Sequence, residues 1–84
     1  MKGSAMCIKK YVAVTAEFDQ MGNIIPLFIK WDDETIYKID RVTNICRAAS
    51  LKAGGAGIRY TCIIKGRSTY LFLEETKWFV EAKV

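Results

Sequence analysis

The chain has 84 residues, of which 51% are hydrophobic and 12% aromatic, and its formal net charge is +4 at pH 7. This composition is too apolar for a disordered segment, and the length allows one small domain. The chain has no histidine, which excludes Ser–His and Cys–His nucleophile pairs, so we expect neither enzymatic activity nor a cofactor.

The first ten residues are expected to form a flexible segment ahead of a single β domain over residues 11–84. Residues 1–5 are either native or a remnant of an expression vector, with Met6 then the natural start. The stretches "YVAVTAEF" (11–18) and "IIPLFIKW" (24–31) alternate apolar and polar residues, which predicts two half-buried strands separated by a turn. Pro26 has no N–H to donate to a ladder, so we expect the second strand either to lie at a sheet edge or to start at this residue.

The middle of the chain has a less uniform pattern. "TIYKIDRV" (35–42) predicts a strand, in which Ile36, Tyr37 and Ile39 break the alternation and indicate a bulge. Residues 41–52 allow two alternatives, because their apolar residues recur at helical spacing while several are β-branched. We favour a strand that runs into a glycine-rich loop, with one short helix near 41–52 as the alternative.

The last third predicts a β-meander of three strands, "IRYTCIIKGRSTYLFLEETKWFVEAKV". With Gly66 and Arg67 as the turn residues of the first hairpin, Tyr60 would face Leu73. Six or seven short strands with close turns predict an all-β fold, either a small antiparallel barrel or a strongly bent sheet of SH3-like size.

A glycine-rich stretch, "SLKAGGAGIRYT" (50–61), lies between basic residues. It is neither a dinucleotide-binding fingerprint nor a P-loop, since Tyr60 replaces the third glycine and no Gly-Lys-Ser/Thr is present. We favour a conformational role, with positive φ or a close backbone approach, beside exposed basic side chains. The alternative is an anion-binding loop. The candidate anion-binding residues are Arg47, Lys52, Gly54, Gly55, Gly57 and Arg59.

The positive charge is concentrated in one segment. No acidic residue occurs between Arg41 and Leu73, whereas six basic residues do. We favour the interpretation that these basic residues are solvated side chains at strand edges, where their charge discourages aggregation. The alternative is a nucleic-acid-associated accessory domain that uses the basic segment 41–67.

Both faces of the final meander carry large apolar groups. Ile63, Tyr70 and Phe72 are predicted on the face opposite the core, so they need cover from the chain itself or from a second copy. These three are the candidate interface residues, and a homodimer is the partner that this pattern favours.

The cysteines, Cys7, Cys46 and Cys62, are odd in number and form no CxxC motif. This usage predicts a reduced, cytoplasmic protein without a disulfide or a metal site.

Three stretches carry a resemblance to a known family: "PLFIKWDDETIYKIDRV", "AASLKAGGAGIRYTC" and "TYLFLEETKWFVE". With them the chain resembles a small uncharacterised all-β family of Gram-positive, clostridia-like bacteria over most of residues 11–81. The resemblance implies the fold and no chemistry. The last third is also similar to the small β domain appended to some translesion-type DNA polymerases, which implies proximity to nucleic acid. The matching residues are Arg59, Tyr60, Tyr70, Phe72, Trp78 and Phe79.

The sequence therefore leads to two functional hypotheses. The first is a non-enzymatic binding or interaction domain that acts through its surface. The alternative is the nucleic-acid-associated accessory domain.

Overall fold

The computed structural model describes residues 7–49 and 56–83, and all the regular secondary structure of these residues is β. This confirms the predicted all-β fold, with the larger of the two expected strand numbers. Residues 41–49, for which a helix was the alternative, form a strand; residues 50–52 lie outside the described part. The strands are β1 (Cys7–Phe18), β2 (Ile24–Lys30), β3 (Ile36–Lys38), β4 (Arg41–Ala49), β5 (Ala56–Ile64), β6 (Arg67–Glu74) and β7 (Lys77–Lys83).

The strands form one antiparallel sheet in the order β3-β2-β1-β7-β6-β5-β4, which curls into a half-barrel. The long strand β1 joins its two parts, because residues 7–12 pair with β7 and residues 13–18 pair with β2. The register of β1 against β2 shifts between Thr15 and Ala16. A bulge of this kind bends a strand and increases its twist, which suits the point where the sheet turns.

The domain begins earlier than the pattern of alternation indicated. Residues 7–10, which the sequence assigned to a segment ahead of the domain, belong to β1. Their lysines have acidic partners elsewhere in the fold: Lys9 Nζ lies 2.9 Å from Glu74 Oε2, and Lys10 pairs with Asp32. Residues 1–6 lie outside the described part.

The strand predicted over residues 35–42 is two strands with a corner between them. Within the corner, Ile39 N donates to Leu27 O at 2.9 Å and Asp40 N donates to Ile63 O at 2.8 Å. Since Leu27 is in β2 and Ile63 is in β5, these bonds tie the two ends of the sheet together at this point. The interrupted alternation therefore marks a corner that closes one side of the half-barrel, and the expected bulge is wrong.

The turn between β5 and β6 is one residue earlier than predicted. Lys65 and Gly66 are the turn residues, with φ of 51° and 77°. Two consecutive positive φ angles are those of a type I′ turn, whose twist matches the flanking strands. As a result Tyr60 faces Leu71, two residues from the predicted partner. A shift of two residues keeps every side chain on its predicted face.

The main core lies inside the curl. Tyr60 is 3% exposed, and its hydroxyl donates a hydrogen bond to Ile24 O at 2.7 Å, which satisfies the buried phenol and joins β5 to the start of β2. We call this side of the sheet the inner face. Its buried residues are Ile29, Ile39, Tyr60, Cys62, Leu71, Leu73 and Val80.

A second apolar layer lies on the opposite, outer face. Phe72 and Phe79 pair across β6 and β7 and stack with 4.9 Å between ring centroids and 5° between ring planes. They are 1% and 0% exposed. Tyr11 and Tyr70 meet this stack edge-on, at 6.1 and 6.4 Å. The sheet is therefore packed on both faces.

Candidate binding surfaces

Strand β4 forms one edge of the sheet. It is nine residues long and pairs with β5 on one side, and no other described strand pairs with it. The opposite edge strand, β3, has three residues. The outward N–H and C=O groups of a long edge strand form a template on which another extended segment can pair.

The start of β2 faces β4 across an opening that we call the seam. β3 pairs only with residues 28–30 of β2. Among the described strands, none pairs with the backbone edge of residues 24–26 that faces away from β1. β2 lies between β3 and β1 and starts at Ile24, so the expectation of an edge strand or of a start at Pro26 is wrong; Pro26 is accommodated because it lies in this uncovered part. The seam holds a shallow depression lined by Ile25 and by residues 42–45. Ile45, which lines it, is 47% exposed.

Among the candidate anion-binding residues, the two described arginines lie on opposite faces of the sheet. Arg47 pairs with Ile58, whose side chain packs on the main core, whereas Arg59 pairs with Cys46. Because neighbouring strand residues point to opposite faces, Arg47 belongs to the inner face and Arg59 to the outer face. The other predicted members, Lys52, Gly54 and Gly55, lie outside the described residues.

Gly57 is required for a close approach and not for positive φ. It lies in β5 opposite Ala48, and its φ is outside the left-handed region, so the positive φ expected among these glycines does not occur here. A Cβ at this position would lie 2.2 Å from Leu73 O. The conformational role is therefore supported for Gly57, by contact with the backbone of β6.

Arg59 is packed against the sheet, which corrects the expectation of an exposed charge. Its guanidinium carbon lies 4.4 Å from the centroid of the Tyr70 ring, and its Nη2 lies 3.6 Å from Cys46 Sγ. Its Nε is buried and has no hydrogen-bond partner among the described residues. No described carboxylate forms an ion pair with it. The outer face thus carries a cation backed by an aromatic ring and without a counter-charge from the described residues.

The candidate interface residues share the outer face but differ in environment. Phe72 is part of the buried stack, Ile63 is half-buried, and Tyr70 is 43% exposed. Of the three, Tyr70 presents the most surface to a partner.

Tyr11 is the second exposed aromatic ring of the outer face. It is 48% exposed, with Lys9 Nζ at 6.0 Å and Lys77 Nζ at 5.5 Å from its ring centroid. Its hydroxyl donates to Glu74 Oε1 at 2.9 Å. The hydrogen bond from Lys9 to the same carboxylate raises the pKa of Lys9. Tyr11 and Tyr70 therefore lie on either side of the buried stack, each beside basic side chains.

Two cavities open on the inner face, and each contains one tryptophan. The first has a volume of about 280 Å³ and the second about 320 Å³. The walls of both cavities are mainly apolar. The first is lined by Ile29, Trp31, Tyr37, Ile64, Thr69, Val80 and Glu81, and the second by Val14, Ala16, Phe18, Ile24, Leu73, Glu75, Thr76 and Trp78.

The two cysteines whose side chains are described are free thiols. Cys62 is fully buried on the inner face, and burial raises its pKa to about 11. Cys46 is half-buried and lies on the outer face beside Arg59. Among the described residues, no group of three or more His, Cys, Asp or Glu side chains is placed to hold a metal ion. The side chain of Cys7 lies outside what the structure describes.

Comparison with known proteins gives no assignment. No protein-family model matches the chain, and no curated protein or solved structure is significantly similar to it. None of the described residues belongs to a helix long and apolar enough to cross a membrane.

Sequence reasoning did not identify the seam or Tyr11. Whether β4 is an edge depends on the pairing of β1 with β7, which lie at opposite ends of the chain. The one local signal was the composition of β4, "RVTNICRAA", which has two arginines and neither an acidic residue nor a proline.

Proposed function

We propose that this protein is a non-enzymatic interaction domain whose binding edge is β4, and that it binds its partner by adding an extended segment to the sheet there. The observation that carries the proposal is the nine-residue edge of β4, which no other described strand covers. In strand addition the main-chain hydrogen bonds supply affinity, and contacts with alternate side chains supply specificity.

The side-chain chemistry supports a binding role over catalysis. The Cys62 thiol is fully buried, and its raised pKa keeps it protonated at neutral pH. The carboxylates of the turn after β2 are engaged separately: Asp32 with Lys10, Asp33 with the N–H of Thr35. Because these two carboxylates are bound to different structural partners, they are not arranged as a general acid and a general base acting on one substrate.

A peptide library tests strand addition directly. Random peptides of about ten residues, longer than a typical strand, would be selected on the purified domain and mapped by amide chemical shifts. We expect selected peptides to shift the amides of β4 and to protect its outward amides from hydrogen exchange. Peptides that map to other strands, or a library that yields no binder, would contradict the proposal.

A nucleic-acid-associated role is the second candidate, because of the pairing of Arg59 with Tyr70. A cation stacked on a partly exposed ring, with no ion pair from the described residues, is suited to a phosphate and a base. Titration with oligothymidine of about ten nucleotides at low salt tests this role. Binding that falls with salt, weakens in Arg59→Ala and persists in Arg67→Ala would support it.

Homodimerisation and a cytoplasmic location belong to the same proposal. The exposed ring of Tyr70 on the outer face supports a second copy as a partner, and the buried free thiol of Cys62 supports a reducing compartment. Sedimentation equilibrium of the wild type and of Tyr70→Ser tests the first point; a wild type that stays monomeric at high concentration would refute it.

A further inference from the structure

We infer that the segment accepted by β4 is acidic, an extended stretch in which acidic and apolar residues alternate, and that it lies in the seam between β4 and the start of β2. This inference rests on the strand addition proposed above and adds the chemistry of the partner. Three features of the seam support it: the open backbone edge of β4, the apolar side chains in its lining, and the charge of the strands beside it.

The seam is bounded by backbone on both sides. β4 pairs with β5 alone, and residues 24–26 of β2 pair with β1 alone among the described strands. Beyond them the corner bonds of Ile39 and Asp40 close the opening. The corner thus closes one end of the seam, and on the β2 side Ile24 O already accepts the Tyr60 hydroxyl, so the unpaired edge left for an added strand is that of β4.

The lining of the seam determines one set of side chains in the added strand. Val42 and Ile45 pair with Cys62 and Tyr60 of the main core, so both side chains belong to the inner face. An added strand presents every second residue to that face. Apolar residues at these positions would cover Ile45, which is 47% exposed in the free chain.

The charges determine the rest of the partner sequence. β4 and β5 carry Arg41, Arg47 and Arg59, and neither strand contains an acidic residue. Arg47 follows Ile45 on the inner face, whereas Arg41 and Arg59 belong to the outer face. In an added strand whose apolar residues lie on the inner face, the alternate acidic residues lie on the outer face, where they meet Arg41 and Arg59. Such charges select the partner and speed its association more than they increase affinity.

A second copy of this chain fits the seam less well. Its longest strand with a free edge among the described residues is β4 itself. Pairing β4 with β4 would bring two strands together that each carry two arginines and no acid. Like charges across a strand pair oppose association. The charge pattern therefore favours a different polypeptide.

Two synthetic peptides and two variants test the inference. The probe is a capped peptide of about eight alternating valine and glutamate residues, a typical strand length, and its counterpart has lysine in place of glutamate. Titrations followed by the amide shifts of β4 would give both dissociation constants. We expect the glutamate peptide to bind roughly tenfold more tightly than the lysine peptide. Arg41→Glu, on the outer face that the glutamates would share, should reverse or abolish that preference, and Arg67→Glu, in β6, should keep it.

The outcomes separate the inference from the proposed function. Equal binding of both peptides at β4 would overturn the acidic partner and keep strand addition. Failure of both peptides and of the library would overturn both. A symmetric dimer with protected β4 amides, or oligothymidine that shifts the same amides and displaces the glutamate peptide, would assign the seam to another occupant and overturn the inference. If Arg41→Glu does not fold, Arg41→Gln should still reduce the difference in affinity between the two peptides.

Discussion

Gly57 occupies a position where a side chain has no space. A Cβ there would lie 2.2 Å from Leu73 O, and the obstacle is backbone, which cannot rotate away. We expect Gly57→Ala to force β5 and β6 apart and to cost about 1–3 kcal/mol of stability. Thermal unfolding of the variant measures this.

Gly22 provides the matched control. Its φ is 85°, and nothing lies within 4 Å of the place of its Cβ. Asparagine tolerates this conformation better than other non-glycine residues, so Gly22→Asn should change the melting temperature little. A Gly57→Ala protein as stable as Gly22→Asn would show that the close approach is not a constraint.

The two described thiols should react at different rates. Cys62 is 0% exposed with a raised pKa, whereas Cys46 is half-buried. In a Cys7→Ser background, a thiol reagent at pH 8 should modify Cys46 in the native protein and Cys62 only after unfolding. Two equally fast thiols in the native state would contradict the burial of Cys62.

Cys62 also predicts a pH dependence of stability. Its pKa is 9.0 in a solvated thiol and about 11 in the fold, so the folded state keeps the proton to higher pH than the unfolded state does. The contribution to stability is full below pH 9 and is lost as pH rises towards 11. Urea unfolding across this range should therefore show a steeper loss in the wild type than in Cys62→Ala. Parallel curves would refute the shift.

Among the structural elements, the β5–β6 hairpin contains a strained turn. Lys65 has a φ of 51°, which a non-glycine residue adopts at a cost of roughly 1 kcal/mol or more. Asn-Gly is the preferred type I′ sequence, so we expect Lys65→Asn to raise the melting temperature by about 4 °C. This gain in stability is partly offset, because the substitution also removes the Lys65 ammonium, which lies 5.3 Å from the centroid of the Tyr37 ring in a cation–π contact. Lys65→Gln, which loses the ammonium without relieving the turn, is the control and should not stabilise.

The outer aromatic layer should be as important to stability as a core. Phe72→Ala removes one half of a stacked and buried pair, and we expect it to cost about 3–5 kcal/mol, much of the stability of a domain of this size. Tyr70→Ala, at a ring that is 43% exposed, should cost far less. Urea denaturation of both variants makes the comparison. Similar losses of unfolding free energy in the two variants would show that the stacked pair contributes no more to stability than the exposed ring does.

The elements that the sequence predicted correctly are those whose signals are local. Alternation located the strands, and the faces predicted for strand residues of the β5–β6 hairpin were right although its turn was placed one residue late. The corner at Ile39 and Asp40 was mistaken for a bulge, because its cause is hydrogen bonding to Leu27 and Ile63, both distant in sequence. The packing of Arg59 on Tyr70 likewise depends on register.

The binding edge could not be predicted for a related reason. Alternation shows that a segment is a strand and not which strands are its neighbours. The neighbours of β4 follow from the whole strand order, which the pairing of the two chain ends determines. Composition alone marked segment 41–67 as basic, and the structure then separates Arg47 from Arg59 by face.

At the scale of the whole molecule, the strand order is that of a simple meander, except that the first strand in sequence, β1, lies inside the sheet and not at its edge. Starting from β4, each strand pairs with the next, in the order β4-β5-β6-β7-β1-β2-β3. The one pairing between strands distant in sequence is β1 with β7, in which Cys7 faces Lys83. The two edge strands, β3 and β4, are neighbours in sequence and are joined by the corner. Closure of the half-barrel and pairing of the strands therefore depend on different contacts.

A circular permutant separates these two contributions. Cys7 and Lys83 are cross-strand neighbours, and the Cα atoms of such a pair lie roughly 4.5–5.5 Å apart, so a short Gly–Ser linker can join residue 83 to residue 7. New ends between Ile39 and Asp40 make every strand pairing local. Since folding rates rise as contacts become more local, we expect refolding roughly tenfold faster or more, measured by stopped-flow tryptophan fluorescence.

The same permutant should be less stable than the parent protein. Cutting the corner frees Ile39, which is 6% exposed, and loosens the bonds to Leu27 and Ile63 that close the half-barrel. The control is a permutant opened at the Glu75–Thr76 turn, which makes the pairing of β6 with β7 distant in sequence while the β1–β7 pairing becomes local. That control should refold at about the rate of the parent because one distant pairing remains. Equal rates for the two permutants would show that the β1–β7 pairing does not limit folding.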